Sequence, residues 1–310
     1  MFDLRQSDPS KYLRSKRARS EGAALFYRLR YHELREDGWS LTVDSDSWSR
    51  ALWRVILANI HEQLPSRHPQ TLKLNLPESQ QQSYFLKVYH SASGWSAVKD
   101  WFRASKALRF LEQGMALSEA GFLVPPALAA GEKRHFGMLK TAFVLTAAID
   151  GAPLTTFLED NADGTSAALS VIEKRAALQA LARQIRRFHD LGFVHGDLVA
   201  SNIFVRRDPA KNLQFVFMDN DRTRRYPKWL PQSLWKRNLV QLNRLPLSSI
   251  SLQDRIRFFQ EYSAAQRAAD LNRPLLKWLE QKTRERRREC DSVDATISFR
   301  QLMRSPTESN

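Results

Sequence analysis

His195, Asp197 and Asn202 lie in one short stretch, Val194-His195-Gly196-Asp197-Leu198-Val199-Ala200-Ser201-Asn202-Ile203-Phe204-Val205, with the Asp two residues after the His and the Asn five further on. These residue types at this spacing suit phosphoryl transfer. A carboxylate has to reach an acceptor hydroxyl, while an amide oxygen one loop turn away helps to hold a metal ion on the nucleotide phosphates. A second acidic group follows at Asp219-Asn220-Asp221. Asp197 is the expected catalytic group, and Asn202 and Asp219 are the expected Mg²⁺ ligands.

Such groups need elements to position them. Ser170-Val171-Ile172-Glu173 reads as a capping box that opens a helix. Leu178, Leu181, Ile185, Phe188 and Leu191 then recur at helical spacing, and Gly192 ends the helix in the left-handed position. Asn202 to Val205 and Leu213 to Met218 read as two strands, with Asp208-Pro209-Ala210-Lys211-Asn212 as the turn between them. A helix, a loop with Asp and Asn, a hairpin and then an Asp is the order of a kinase C-lobe. Protein kinases carry Arg between the His and the Asp. Gly196 stands there in this chain, a form common in kinase-like enzymes that act on small molecules and sugars.

Upstream, Trp39 to Val43 reads as a strand, Ser47 to Leu64 as a helix, and Leu72 to Leu76 and Tyr84 to Tyr89 as strands. Lys87, between Leu86 and Val88, is placed like the strand lysine that grips the α- and β-phosphates of ATP. A helix over Ala97 to Ala120 would carry the Glu that braces it; Glu112, in mid-helix, is preferred to Glu119. Phe143 to Thr146 would be the strand that enters the hinge, where adenine sits. No glycine lies between Leu72 and Lys87, so a non-glycine turn would have to cover the phosphates. The fold class expected is α+β, a bilobal protein-kinase-like fold with a small β-rich N-lobe and a larger helical C-lobe. Residues 1–38 would form a basic arm, 39–146 the N-lobe, and 147–310 the C-lobe with terminal helices over Ser251 to Ala269 and Leu275 to Arg288.

The 310 residues carry 48 Lys and Arg against 33 Asp and Glu, a formal charge of +15. An anionic partner follows from that surplus. From Arg222 to Gln253 there is no acid, while Arg222, Arg224, Arg225, Lys228, Lys236, Arg237 and Arg244 are basic. Arg222, Arg224 and Arg225 come directly after the metal-binding Asp and are the expected acceptor-binding residues. Lys11, Arg14, Lys16, Arg17 and Arg19 cluster in the arm and would tether it to an anionic membrane surface. No nucleic-acid reader motif accompanies the charge, so nucleic acid is not an expected partner. One cysteine, Cys290, excludes an internal disulfide and fits a reducing compartment. Neither a signal pattern nor an apolar run long enough to span a membrane is present.

His195-Gly196-Asp197-Leu198…Asn202-Ile203-Phe204, Phe217-Met218-Asp219-Asn220-Asp221-Arg222 and Trp235-Lys236-Arg237-Asn238-Leu239-Val240-Gln241-Leu242-Asn243-Arg244 together resemble the bacterial lipopolysaccharide kinase (Kdo/WaaP) family. The Asp-x-Asp-Arg form in place of Asp-Phe-Gly, with the Asn-Leu…Leu…Arg helix after it, is more specific than the catalytic loop alone. The likeness runs over roughly Tyr84 to Tyr262. It implies an ATP- and Mg²⁺-dependent kinase that phosphorylates a sugar, Kdo or heptose, of the lipopolysaccharide core glycolipid. The protein would be cytoplasmic and peripheral to the inner membrane. A kinase of the same fold with a small-molecule or protein substrate, or a pseudokinase scaffold in envelope assembly, are the alternatives.

Overall fold

The computed structural model describes residues 30–63, 70–75, 83–90, 103–159, 170–227, 233–244, 250–263 and 269–291. The basic cluster Lys11 to Arg19, the turn expected to cover the phosphates, and Lys228 with Trp229 lie outside them. The chain divides into two units, residues 1–121 with 125–148, and residues 122–124 with 149–310.

The first unit is a six-stranded antiparallel sheet in the order β1-β2-β5-β6-β4-β3. Its strands are β1 (Tyr31–Glu36), β2 (Trp39–Asp44), β3 (Gln70–Asn75), β4 (Ser83–His90), β5 (Ala127–His135) and β6 (Met138–Ala147). Side chains of a strand alternate between faces, and each face here meets a helix. Helix α1 (Arg50–Gln63) lays Leu52, Trp53, Ile56 and Ile60 against Trp39, Leu41, Leu86, Val88, Phe143 and Leu145. Helix α2 (Lys106–Glu119) lays Ala107, Phe110 and Leu111 against Tyr89, Ala130, Ala142 and Val144 on the opposite face. Ser105 caps α2 by accepting from the Leu108 amide at 3.2 Å. This helix therefore begins later than its periodicity predicts, and residues 91–102 fall outside the described chain.

Tyr31–Glu36, read above as the end of the basic arm, is a strand paired with β2 along its whole length. Asp37 (φ 50°) and Gly38 (φ 76°) supply the two left-handed residues of the hairpin turn. Strand β5 is built largely of small residues. A Cβ on its Gly131 would fall 2.4 Å from the Phe143 ring and 2.6 Å from Leu41, so the bare backbone is what lets that ring lie across it.

The second unit is centred on α4 (Val171–Asp190), which follows α3 (Leu154–Glu159). Its capping box is formed as the sequence predicts: the Ser170 hydroxyl accepts from the Glu173 amide, and Glu173 accepts from the Ser170 amide at 3.0 Å. Leu178, Leu181, Ile185 and Phe188 are all buried, and Gly192 is left-handed at φ 84°. β7 (Ala152–Pro153), β9 (Ile203–Arg207) and β10 (Leu213–Phe217) form one small sheet, and β8 (Phe193–Val194) with β11 (Arg224–Arg225) another. Three helices complete the unit: α5 (Ser233–Arg244), α6 (Leu252–Ser263) and α7 (Ala269–Asp291). Phe122, Phe188, Phe193 and Phe217 meet at its centre, with ring centroids 5.1–6.1 Å apart.

Candidate active site

One side-chain and one main-chain hydrogen bond tie Asn202 to Asp197 and to Met218, the residue before Asp219, within the second unit. The Asn202 side-chain amide donates to the Asp197 carbonyl at 3.0 Å, which closes the loop between them. The Met218 amide donates to the Asn202 carbonyl at 2.9 Å, so the β9–β10 ladder sets Asp219 beside Asn202. Asp197 and Asp219 are half-buried, and their carboxylates are the hard oxygen groups of this corner.

His195 ties the loop to the end of β10. Its ring is fully buried between Phe188 and Phe217, with centroids 6.4 Å from each. Nε2 lies 2.8 Å from the Met218 carbonyl, which only accepts, so Nε2 carries the proton. Nδ1 is then free to accept from the Asp197 amide at 3.3 Å. Burial lowers the pKa of His195, against the raising effects of the Met218 carbonyl, Asp219 and Asp197. A neutral, doubly bonded, buried ring is a structural strut.

Asp219 sits in the left-handed region, at φ 52° and ψ 51°. Aspartate and asparagine take this conformation more readily than other non-glycine residues. Asn220 behind it is fully buried and donates to the Phe217 carbonyl at 2.8 Å, and Asp221 is buried too. The donor set suits Mg²⁺, which binds through one or two protein oxygens plus substrate phosphates and waters rather than an all-protein cage. Asn202 and Asp219 offer that kind of set.

A second layer, not foreseen from the sequence, holds the loop from α5. Asn238 accepts from the His195 amide at 2.9 Å, and its own amide donates to Gln241 at 3.1 Å. Gln241 accepts from the Leu198 amide at 3.1 Å and donates to the Gly196 carbonyl at 3.0 Å. Behind Asn238, His189 Nε2 lies 3.1 Å from its side-chain oxygen and Nδ1 lies 2.8 Å from the Tyr262 hydroxyl. Burial drives the His189 pKa down to about 4, so the ring is neutral: it donates to Asn238 and accepts from Tyr262. The sequence signals were the Asn-Leu…Leu…Arg helix itself and two amides spaced i, i+3 on it, neither of which shows what they bond.

Gly196 has a packing reason to be glycine. A Cβ there would meet the Arg222 Cβ at 2.4 Å and the Arg222 carbonyl oxygen at 2.8 Å. The loop and the segment after Asp219 approach too closely for any side chain. Gly196→Ala is therefore expected to displace the loop and lower turnover by about a hundredfold, as small misplacements of reacting groups do. Steady-state phosphotransfer measured beside a thermal melt checks this, and parent-level turnover would contradict it.

Of the three arginines expected at the acceptor site, Arg222 and Arg224 are exposed. Arg225 is also exposed, but its Nε donates to the Leu191 carbonyl at 3.2 Å and its guanidinium lies 5.2 Å from the Phe193 ring centroid. Its head group thus helps to pin β11 against β8.

The two remaining expected residues belong to the first unit. Lys87 lies on β4, paired with Thr71 and Val144, on the same face as Tyr89 and hence toward α2. Its ammonium is 5.5 Å from the Tyr89 ring centroid. Glu112 lies on α2 as an exposed residue, yet desolvation raises its carboxyl pKa; Arg109 acts in the opposite sense and Glu132 adds to the rise.

A mixed sheet-and-helix first unit with a strand lysine, followed by a helical unit with an Asp–Asn loop and a distal Asp, defines a protein-kinase-like phosphotransferase. A model of the lipopolysaccharide kinase (Kdo/WaaP) family matches residues 77–262, and the chain belongs to that family. It is accordingly an ATP-dependent phosphotransferase with an alcohol acceptor, acting on lipopolysaccharide core. Among solved structures, WaaP in complex with acyl carrier protein is similar in fold, with 19% identity, a TM-score of 0.51, and coverage of 76% of this chain and 97% of that one. The Rio2 kinase–ADP/Mg²⁺–phosphoaspartate complex from Chaetomium thermophilum also aligns, with 15% identity, a TM-score of 0.37 and 86% of each chain covered. No curated protein matches the sequence.

Proposed function

We propose that this protein transfers the γ-phosphoryl group of ATP to a hydroxyl of a Kdo or heptose residue in the lipopolysaccharide core, at the cytoplasmic face of the inner membrane. The observation that supports it most is the hydrogen-bonded cluster of Asp197, Asn202 and Asp219 in a chain of this family. Asp197 orients the sugar hydroxyl and takes its proton late, as the new O–P bond forms and the bond to the ADP oxygen breaks. Asn202 and Asp219 hold Mg²⁺, which supplies charge neutralisation on the phosphates. Lys87, braced by Glu112, fixes the α- and β-phosphates.

Arg222 and Arg224 face the acceptor, where guanidinium groups can each bond two phosphate oxygens. Their exposure in a stretch without acids supports this role. Among the described residues no helix is long and apolar enough to cross a membrane.

Mass spectrometry of lipopolysaccharide core from cells with and without the gene tests the assignment. Loss of one phosphate from one sugar is expected, and an unchanged core would overturn it. The metal ligands have a separate test. Asp219→Asn and Asn202→Ala should each weaken Mg²⁺-dependent binding of a non-hydrolysable ATP analogue by roughly tenfold or more, about 1.4 kcal/mol. Calorimetry across a Mg²⁺ titration reads this, and unchanged Mg²⁺ dependence in both variants would remove them from the metal site.

A further inference from the structure

We propose that the tip of the β5–β6 hairpin is a wedge that inserts into an anionic lipid surface. It rests on the membrane-glycolipid reading above only for the reason to meet a bilayer; its evidence is separate and lies in the first unit.

Phe136 is 82% exposed, the highest value among the exposed large hydrophobic residues of the described chain. It stands at φ 48° with Gly137 at φ 79°, the two left-handed positions of a turn that joins His135 to Met138. Asn or Asp is the ordinary occupant of the first such position, because the left-handed region penalises larger side chains. An aromatic residue there is costly twice, in backbone strain and in apolar surface left in water. Within the chain, its ring has an edge contact with His135 at 4.4 Å between centroids. Met138, directly across the turn, is 38% exposed and adds a second apolar group at the same tip.

The tip is braced. Arg134 Nη1 donates to the Gly137 carbonyl at 3.0 Å, and Nη2 donates to the Arg103 carbonyl at 2.9 Å and to Glu132 at 2.8 Å. A pre-ordered tip loses little entropy on binding.

Charge selects the partner. Glu132 is the one acid between Ala127 and Ala147, and its buried carboxylate is held by Arg134. Lys133 and Lys140 are exposed behind the tip, as is His135. An apolar point backed by cations, with no exposed acid of its own hairpin and with the nearby Asp37 carboxylate engaged by Trp53 Nε1 at 2.8 Å, matches the boundary between acyl chains and anionic headgroups. The aromatic ring sits at the interface while each lysine finds a headgroup phosphate.

The test uses the full chain and vesicles without lipopolysaccharide, either neutral phosphatidylcholine or phosphatidylcholine mixed with phosphatidylglycerol. The parent protein should partition onto the mixed vesicles. Phe136→Ser combined with Met138→Ser should lower that partitioning by about tenfold, roughly 1.4 kcal/mol. Phe136→Trp should retain it, and Lys133→Glu with Lys140→Glu should abolish the preference for anionic over neutral vesicles. Circular dichroism confirms that each variant is folded. Partitioning of the serine variant equal to that of the parent would overturn the proposal, as would a parent that ignores anionic vesicles; either result fits a protein-docking face instead. If core phosphorylation proves independent of the gene while the serine variant loses vesicle binding, the substrate reading fails and the wedge stands. The converse result separates them the other way.

Discussion

Asp197→Ala is expected to lower phosphotransfer by about two to four orders of magnitude while leaving the fold and the melting temperature nearly unchanged, in line with loss of a positioned proton acceptor. The two claims have different structural grounds. The hydrogen bonds that hold the loop at this position use backbone atoms of Asp197, whose amide donates to His195 and whose carbonyl accepts from Asn202. Alanine keeps both. What it removes is the half-exposed carboxylate, the group that has to meet the sugar hydroxyl. Turnover and nucleotide affinity measured on the same preparation separate the possibilities. Comparable turnover in parent and variant would end Asp197's candidacy, and a large fall in melting temperature would show that the carboxylate also supports the loop.

Asn238→Leu should have the largest effect on stability. Asn238 is 1% exposed, and its side-chain oxygen accepts from both the His195 amide and His189 Nε2. Leucine of similar size leaves those two donors facing hydrocarbon and strands Gln241 as well. Buried donors without acceptors cost about 1–3 kcal/mol each. A loss of about 3 kcal/mol is therefore expected, or about 10 °C in melting temperature for a unit of this size. Turnover should fall further than the stability loss explains, because the loop carrying Asp197 is released. Asn238→Asp retains the accepting oxygen and should recover part of both. If the leucine variant melts within roughly 2 °C of the parent, the clamp contributes nothing to the fold.

Much of this was legible in the residues. The apolar stripe from Leu178 to Phe188, its capping box and Gly192 specified α4 because each feature depends on neighbours only a few positions away. The order of loop, hairpin and Asp219 was legible for the same reason. β1 was not. Tyr-His-Glu-Leu-Arg-Glu offers two apolar residues in six and reads as a charged arm, yet as an edge strand it needs only one partner, β2. β5 escaped notice for a different reason. Ala127, Ala129, Ala130 and Gly131 have low strand propensity, and the bare backbone at Gly131 is explained only by Phe143 and Leu41 packed across it from neighbouring strands.

The site divided along the same line. Asp197, Asn202 and Asp219 follow a spacing that the sequence displays directly. Gly196 read as a marker of substrate class, whereas its immediate reason is the Arg222 backbone lying against it. Asn238 was legible only as part of the Asn-Leu…Leu…Arg helix on which the family resemblance rests, and no role followed from that for it or for Gln241. Nothing local distinguishes an amide that faces water from one that bonds a loop some 43 positions away in sequence.

That clamp grips main-chain atoms of residues 195, 196 and 198, not their side chains. The shape of the loop is thus stored in a different part of the gene from the loop itself. Val199 and Ser201 take no part in those bonds, and Ser201 is exposed. Side-chain changes at these positions leave the clamp's bonds in place, whereas Asn238 and Gln241 have little freedom to change. A library built to vary the loop without losing its shape would randomise the former pair and leave the latter fixed.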